Sequence, residues 1–159
     1  MNLNFTLDLY RHSKRWGHRV SKKSLELALH KAASILNLKG SFELTVVLAD
    51  NDFVHPLNLE YRGKDKPTDV LSFPQEVLKK EERVVLENLN LGDIILSYEI
   101  IAKDAVDQQK DFLSHTLHMV IHGFLHLLGY DHLSTEDAIE MERLEIKILD
   151  SLSISNPYE

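Results

Sequence analysis

With 159 residues, 43% of them apolar, the chain has the length of one ordinary domain and can close a single core without covalent staples. It has no cysteine, which excludes disulfides, thiolate metal sites and thiol nucleophiles, so any metal must be held by histidine or carboxylate. A net charge of −7 argues against a protein that coats nucleic acid by charge alone, because phosphate binding needs neutralising lysine and arginine.

The opening MNLNFTLDLY carries an aspartate where a secretion signal is continuously apolar, and no eighteen apolar residues run together anywhere. A soluble cytoplasmic protein without a membrane partner is expected. Alternation in Asn4 to Leu9 predicts a strand, and Ser21 to Leu38 has the apolar spacing of a helix ended by Gly40. Residues 1–40 hold eight Lys/Arg against two Asp/Glu, and residues 41–159 hold ten against twenty-three. The basic segment, with Arg11, Lys14, Arg15, Arg19, Lys22 and Lys23, reads first as a solvated surface. Ser41 to Ala49 predicts a second strand, and Asp50-Asn51-Asp52 caps a helix to about Tyr61 that Gly63 closes. A polar loop, Gly63 to Pro67, leads to a short strand over Asp69 to Phe73, which Pro74 stops. Lys79 to Arg83 is read as a charged surface loop, and Gly92 to Ser97 as a fourth strand. Three helices follow, over Tyr98 to Gln109, Asp111 to Leu128 and Ser134 to about Leu152. The last opens on the capping pattern Ser134-Thr135-Glu136-Asp137 and carries the apolar stripe Met141, Leu144, Ile148. Strands early and helices late around one small sheet predict a single α+β domain over 1–159, with helices packed on a mixed sheet.

From Phe112 to Leu128 apolar residues occupy nearly all sides, the mark of a helix enclosed by protein. Yet His115, His118, His122 and His126 fall within an arc of about 80° at 100° per residue. Two imidazoles one turn apart can converge on one tetrahedral zinc. His118 and His126, two turns and about 12 Å apart, cannot share an ion with His122 between them. The pair is therefore 118/122 or 122/126. Gly129 decides it, because a glycine directly after a helical run lets the chain double back and bring His132 beside His126. The set His122, His126 and His132 leaves a fourth zinc position open, as catalytic sites do. His115 and His118 are assigned packing or supporting roles, and Asp131 is either a supporting carboxylate for a ligand or an ordinary turn residue. In the zinc protease motif His-Glu-x-x-His a glutamate follows the first ligand, and here that position is Gly123. Close packing is the plainest reason for a glycine there.

The stretch His122-Gly-Phe-Leu-His126-Leu-Leu-Gly-Tyr-Asp-His132, with Leu57-Asn-Leu-Glu-Tyr-Arg62-Gly-Lys-Asp-Lys-Pro-Thr-Asp-Val-Leu-Ser-Phe-Pro74 and Gly92-Asp-Ile94, resembles the YbeY family of metal-dependent endoribonucleases. The likeness runs from about residue 41 to 150. It implies a mixed four-stranded sheet flanked by helices, with a central histidine helix like that of zinc proteases. It implies cleavage of single-stranded RNA in small-subunit ribosomal RNA 3′-end maturation and ribosome quality control. The metal ligands would be His122, His126 and His132, holding one Zn2+, and the functional arginine would be Arg62. Implied partners are ribosomal RNA, the small ribosomal subunit and its proteins, and an Era-type GTPase. Arg62 could grip the scissile phosphate, with Lys64 and Lys66 on a neighbouring one.

Two routes suit such a site: attack by water acidified at the metal, or attack by the ribose 2′-OH. Two competing readings are a metallopeptidase, which Gly123 opposes, and a ribosome-associated binding module whose zinc is structural.

Overall fold

The computed structural model describes residues 3–79, 82–83 and 85–159. β1, Leu3–Arg11, runs parallel to β2, Lys39–Ala49, with Leu3 opposite Gly40 and Arg11 opposite Leu48. Parallel neighbours need a crossover, and α1, Lys22–Ile35, supplies it. α2, Asn51–Arg62, follows β2 directly and leads to β3, Val70–Pro74. β4, Val85–Ser97, pairs parallel with β2 and antiparallel with β3, giving the strand order β1-β2-β4-β3. α3, Tyr98–Asp107, α4, Phe112–Leu127, and α5, Thr135–Ser151, complete the predicted architecture, which among the described residues is five α-helices around a four-stranded mixed sheet.

Local chemistry accounts for the helix starts. Side-chain oxygens of Ser21, Asp50, Asp111 and Ser134 accept hydrogen bonds from the backbone N–H three residues on, satisfying donors that a helix start leaves open. Alternation decides which face of the sheet each side chain meets. Leu71 and Ile95 pack with Ala49 and Val54 beneath α2. Ile94 and Ser72, their neighbours in sequence, lie against Gly123 of α4 on the opposite face. α4 has twelve of its sixteen residues buried, which explains why it is apolar on nearly every side. Trp16, fully buried, pins the basic N-terminal loop by donating Nε1–H to the carbonyl of Ala49 at 2.8 Å.

Three readings are corrected. Gly40 does not end α1: the helix stops at Ile35, Asn37 takes the left-handed turn at φ 57°, and Gly40 lies within β2. A side chain at Gly40 would collide with the Leu86 carbonyl of β4, so the glycine serves strand contact. β4 starts at Val85, well before Gly92, because register shifts at Gly40/Phe42 and Glu43/Leu44 break the alternation that marks a strand in sequence. In the charged segment Lys79–Arg83, Lys80 and Glu81 lie outside the described residues. Arg83 is not a free surface charge: its guanidinium donates to the Gly129 carbonyl at 2.8 Å and sits 4.1 Å from the Tyr130 ring centroid.

Candidate metal centre

The C-terminal half of α4 and the turn after it build the site. His122 and His126 stand one turn apart on α4. At the helix end Leu128 still has a right-handed backbone, and Gly129 turns left-handed with φ 94°. The N–H of Tyr130 then returns to the Leu125 carbonyl at 3.0 Å, a Schellman-like closure that reverses the chain. Asp131 stabilises the turn that follows by accepting from the Leu133 N–H at 2.7 Å. His132 is thereby brought back: its ring centroid lies 5.1 Å from that of His126 and 5.8 Å from that of His122. One ring nitrogen from each of the three lies within 4.8 Å of the others, and no other group of described His, Asp or Glu residues converges this way.

The hydrogen bonds show which nitrogens face inward. His122 Nδ1 is 2.8 Å from Oε1 of Glu145, and His126 Nδ1 is 3.0 Å from the Tyr130 carbonyl. A carboxylate and a carbonyl only accept, so both Nδ1 atoms carry a proton, and each ring in its neutral form presents its lone pair at Nε2. Those two Nε2 atoms lie 3.0 Å apart. Two neutral lone pairs at that separation repel unless a proton or a metal cation lies between them, and two nitrogens bound tetrahedrally at zinc distances are about 3.3 Å apart. The donor set and its tautomers thus fit a divalent ion that accepts imidazole.

Electrostatics point the same way. Burial, followed by the neighbouring His122, lowers the His126 pKa to about 4, so the ring is neutral and able to ligate at neutral pH. Burial pushes the Glu145 carboxyl up, but hydrogen bonds from His118 and His122 outweigh it and hold the group at about 2. Glu145 therefore stays charged although only 1% of it is exposed. A buried charge needs partners, and it has three: His118 Nε2 at 3.2 Å, His122 Nδ1 at 2.8 Å and the Tyr158 hydroxyl at 2.7 Å.

The position that carries glutamate in zinc proteases is closed off by the sheet. A Cβ on Gly123 would lie 2.9 Å from Ile94 Cγ2 and 3.1 Å from Ser72 Oγ.

Comparison with known proteins shows the family. The family model described as Endoribonuclease YbeY matches residues 10–153. The chain belongs to the YbeY endoribonuclease family. Among proteins named Endoribonuclease YbeY, that of Colwellia psychrerythraea strain 34H is 51% identical over 135 residues, 84% of this chain and 82% of the relative. That of Acinetobacter baylyi strain ADP1 is 44% identical over 139 residues, 87% of this chain and 84% of the relative. A solution structure of a Thermotoga maritima protein aligns over 93% of this chain and 92% of its own, with a TM-score of 0.55 and 27% identity.

The remaining residues to which the YbeY resemblance or the sequence assigned roles are placed as follows. Arg62 ends α2, exposed, under the sheet face opposite α4, and its neighbour Tyr61 packs edge-on against Phe73 of edge strand β3. Lys64 and Lys66 are exposed in the next loop, which Asn58 fastens: its buried side-chain amide donates to the Lys66 carbonyl at 2.8 Å and its backbone carbonyl accepts from the Lys64 N–H at 3.3 Å. His118 shares Glu145 with His122. His115 is buried with neither ring nitrogen partnered among the described residues, and burial, then His118, lowers its pKa to about 4. Asp131 caps the turn and raises the His126 pKa by charge alone, while the Tyr130 carbonyl receives that ring's proton. Sequence reasoning did not single out Glu145 or Tyr158.

Proposed function

We propose that residues 1–159 act as one metal-dependent endoribonuclease domain that cuts single-stranded RNA, with one zinc ion per chain held by His122, His126 and His132. The setting is cytoplasmic, in 3′-end maturation of small-subunit ribosomal RNA and in ribosome quality control, with small-subunit proteins and an Era-type GTPase as partners. One observation carries the metal assignment: ring nitrogens of His122, His126 and His132 converge within 4.8 Å of one another, in a chain that the endoribonuclease family model covers over 10–153.

An ion so held supplies Lewis-acid polarisation of a phosphoryl oxygen and acidifies water beside it. The chain's own residues do the rest. His122 and His126 enter as neutral ligands because Glu145 and the Tyr130 carbonyl hold their distal protons. By the family resemblance Arg62 meets the scissile phosphate where the RNA strand passes round edge strand β3 from the α4 face, and there its planar fork neutralises charge that builds in the transition state. Lys64 and Lys66 hold an adjacent phosphate. Because the chain carries −7 overall, RNA affinity is weak and depends on this local patch or on ribosomal partners.

The test measures zinc content per chain and cleavage of a labelled single-stranded RNA together. His126→Ala is expected to lose both. Arg62→Glu is expected to keep the zinc and lose cleavage by at least about a hundredfold, the scale of losing one transition-state donor. Normal cutting by zinc-loaded Arg62→Glu removes Arg62 from the mechanism. An unstructured polypeptide in a parallel reaction is expected to survive, since the glutamate position of zinc proteases is filled by packing at Gly123. A chelator is expected to abolish cleavage while leaving the fold, which separates this reading from a structural zinc. Analysis of product ends then distinguishes the two routes, a 2′,3′-cyclic phosphate marking attack by the ribose hydroxyl.

A further inference from the structure

The carboxylate behind the histidine helix is held from two sides. Oε1 of Glu145 accepts from His122 Nδ1 at 2.8 Å and from His118 Nε2 at 3.2 Å, while Oε2 accepts the Tyr158 hydroxyl at 2.7 Å. Tyr158 comes from the segment after α5, which is fastened in turn: Lys110 Nζ donates to the Pro157 carbonyl at 3.1 Å, and the Tyr158 N–H donates to Asn156 Oδ1 at 2.8 Å. The His118 and Tyr158 rings meet edge to face, with centroids 5.8 Å apart. Tyr158 lies beyond residue 153, where the family match ends, so its contact is a property read from this chain alone.

We propose that Glu145 and Tyr158 are positioning residues for the metal centre: the phenol orients the buried carboxylate, which fixes His122 in the tautomer that offers Nε2 to the ion. An imidazole has two neutral tautomers, and only the one with the proton on Nδ1 presents a lone pair at Nε2. Glu145 selects it, because a carboxylate beside Nδ1 demands a donor there. On Oε2 the donor among the described residues is the Tyr158 hydroxyl. Removing it leaves that oxygen unsatisfied in the interior and frees the carboxylate to rotate away from His122. His118 steadies the other oxygen.

Only the affinity part of this inference rests on the metal reading above. Zinc affinity is measured by competition with a chromophoric chelator, and the tautomer by 15N shifts of the His122 ring in metal-free protein. Tyr158→Phe removes one hydroxyl from a partly exposed ring and is expected to weaken zinc binding severalfold with the fold unchanged. Glu145→Leu is expected to weaken it about ten- to a hundredfold, the scale of losing such a partner, and to leave His122 as a mixture of tautomers. Zinc affinity within twofold of the parent in both variants, or a single Nδ1–H tautomer persisting in Glu145→Leu, overturns the proposal. If Glu145→Leu does not fold, Tyr158→Phe decides the matter, and unchanged affinity there overturns it. A parent protein that binds no zinc, yet whose tautomer Glu145→Leu releases, removes the metal reading and leaves the positioning role standing.

Discussion

At Gly123 the histidine helix touches the sheet without a side chain between them, which sets how deeply α4 is seated. The nearest atoms belong to Ile94, a β-branched side chain with little freedom to move aside. Gly123→Val is therefore expected to lower unfolding free energy by about 1–3 kcal/mol through overpacking, measured by urea denaturation. The glycine was legible in the sequence because it stands where a related motif has glutamate, and the convergence of His122, His126 and His132 was legible because they fall on one helix and one turn. Glu145 was not. In sequence it lies inside a stripe read as Met141, Leu144, Ile148, whereas the buried face of α5 is Met141, Glu145, Ile148 and Leu149. A carboxylate at helical spacing within an apolar face was the available signal, and the imidazoles were the partners it needed.

Elements bring these residues together through their ends more than their middles. The close of α4 requires Gly129 twice over: its φ of 94° suits no side chain, and a Cβ there would lie 2.8 Å from the Leu78 carbonyl. Gly129→Ala is expected to cost about 1–3 kcal/mol in strain, read from denaturation, and to weaken zinc binding as well because the turn carries His132. Arg83→Ala removes the guanidinium from the Gly129 carbonyl and the Tyr130 face, so a smaller loss of zinc affinity is expected in the same chelator assay. The starts of α1, α2, α4 and α5 were legible because each carries a capping side chain, whereas α3 opens at Ser97 without a side-chain cap bond. The first half of β4 was not, since a strand containing register shifts loses its period of two, and its pairing with β2 is a tertiary fact.

For the whole molecule, proton linkage makes the metal-free protein sensitive to acid. His115 and His126 are lowered from 6.5 to about 4, so between those values the unfolded chain binds protons that the folded one refuses. Stability is therefore full above about pH 6.5 and falls as pH drops towards 4, by up to about 1.4 kcal/mol per unit for each ring. Glu145, lowered from 4.5 to about 2, adds a second loss below pH 4.5. Melting temperature against pH, recorded with chelator present, is expected to decline in that order, and a flat profile between pH 6.5 and 4.5 contradicts it. The clustering of His122, His126 and His132 within eleven consecutive positions has one more effect. Three such neighbours can chelate even from an unravelled peptide, so a metal ion held there would compete for both states of the chain, and the thermal protection it conferred would fall short of what its grip on the native form alone would deliver.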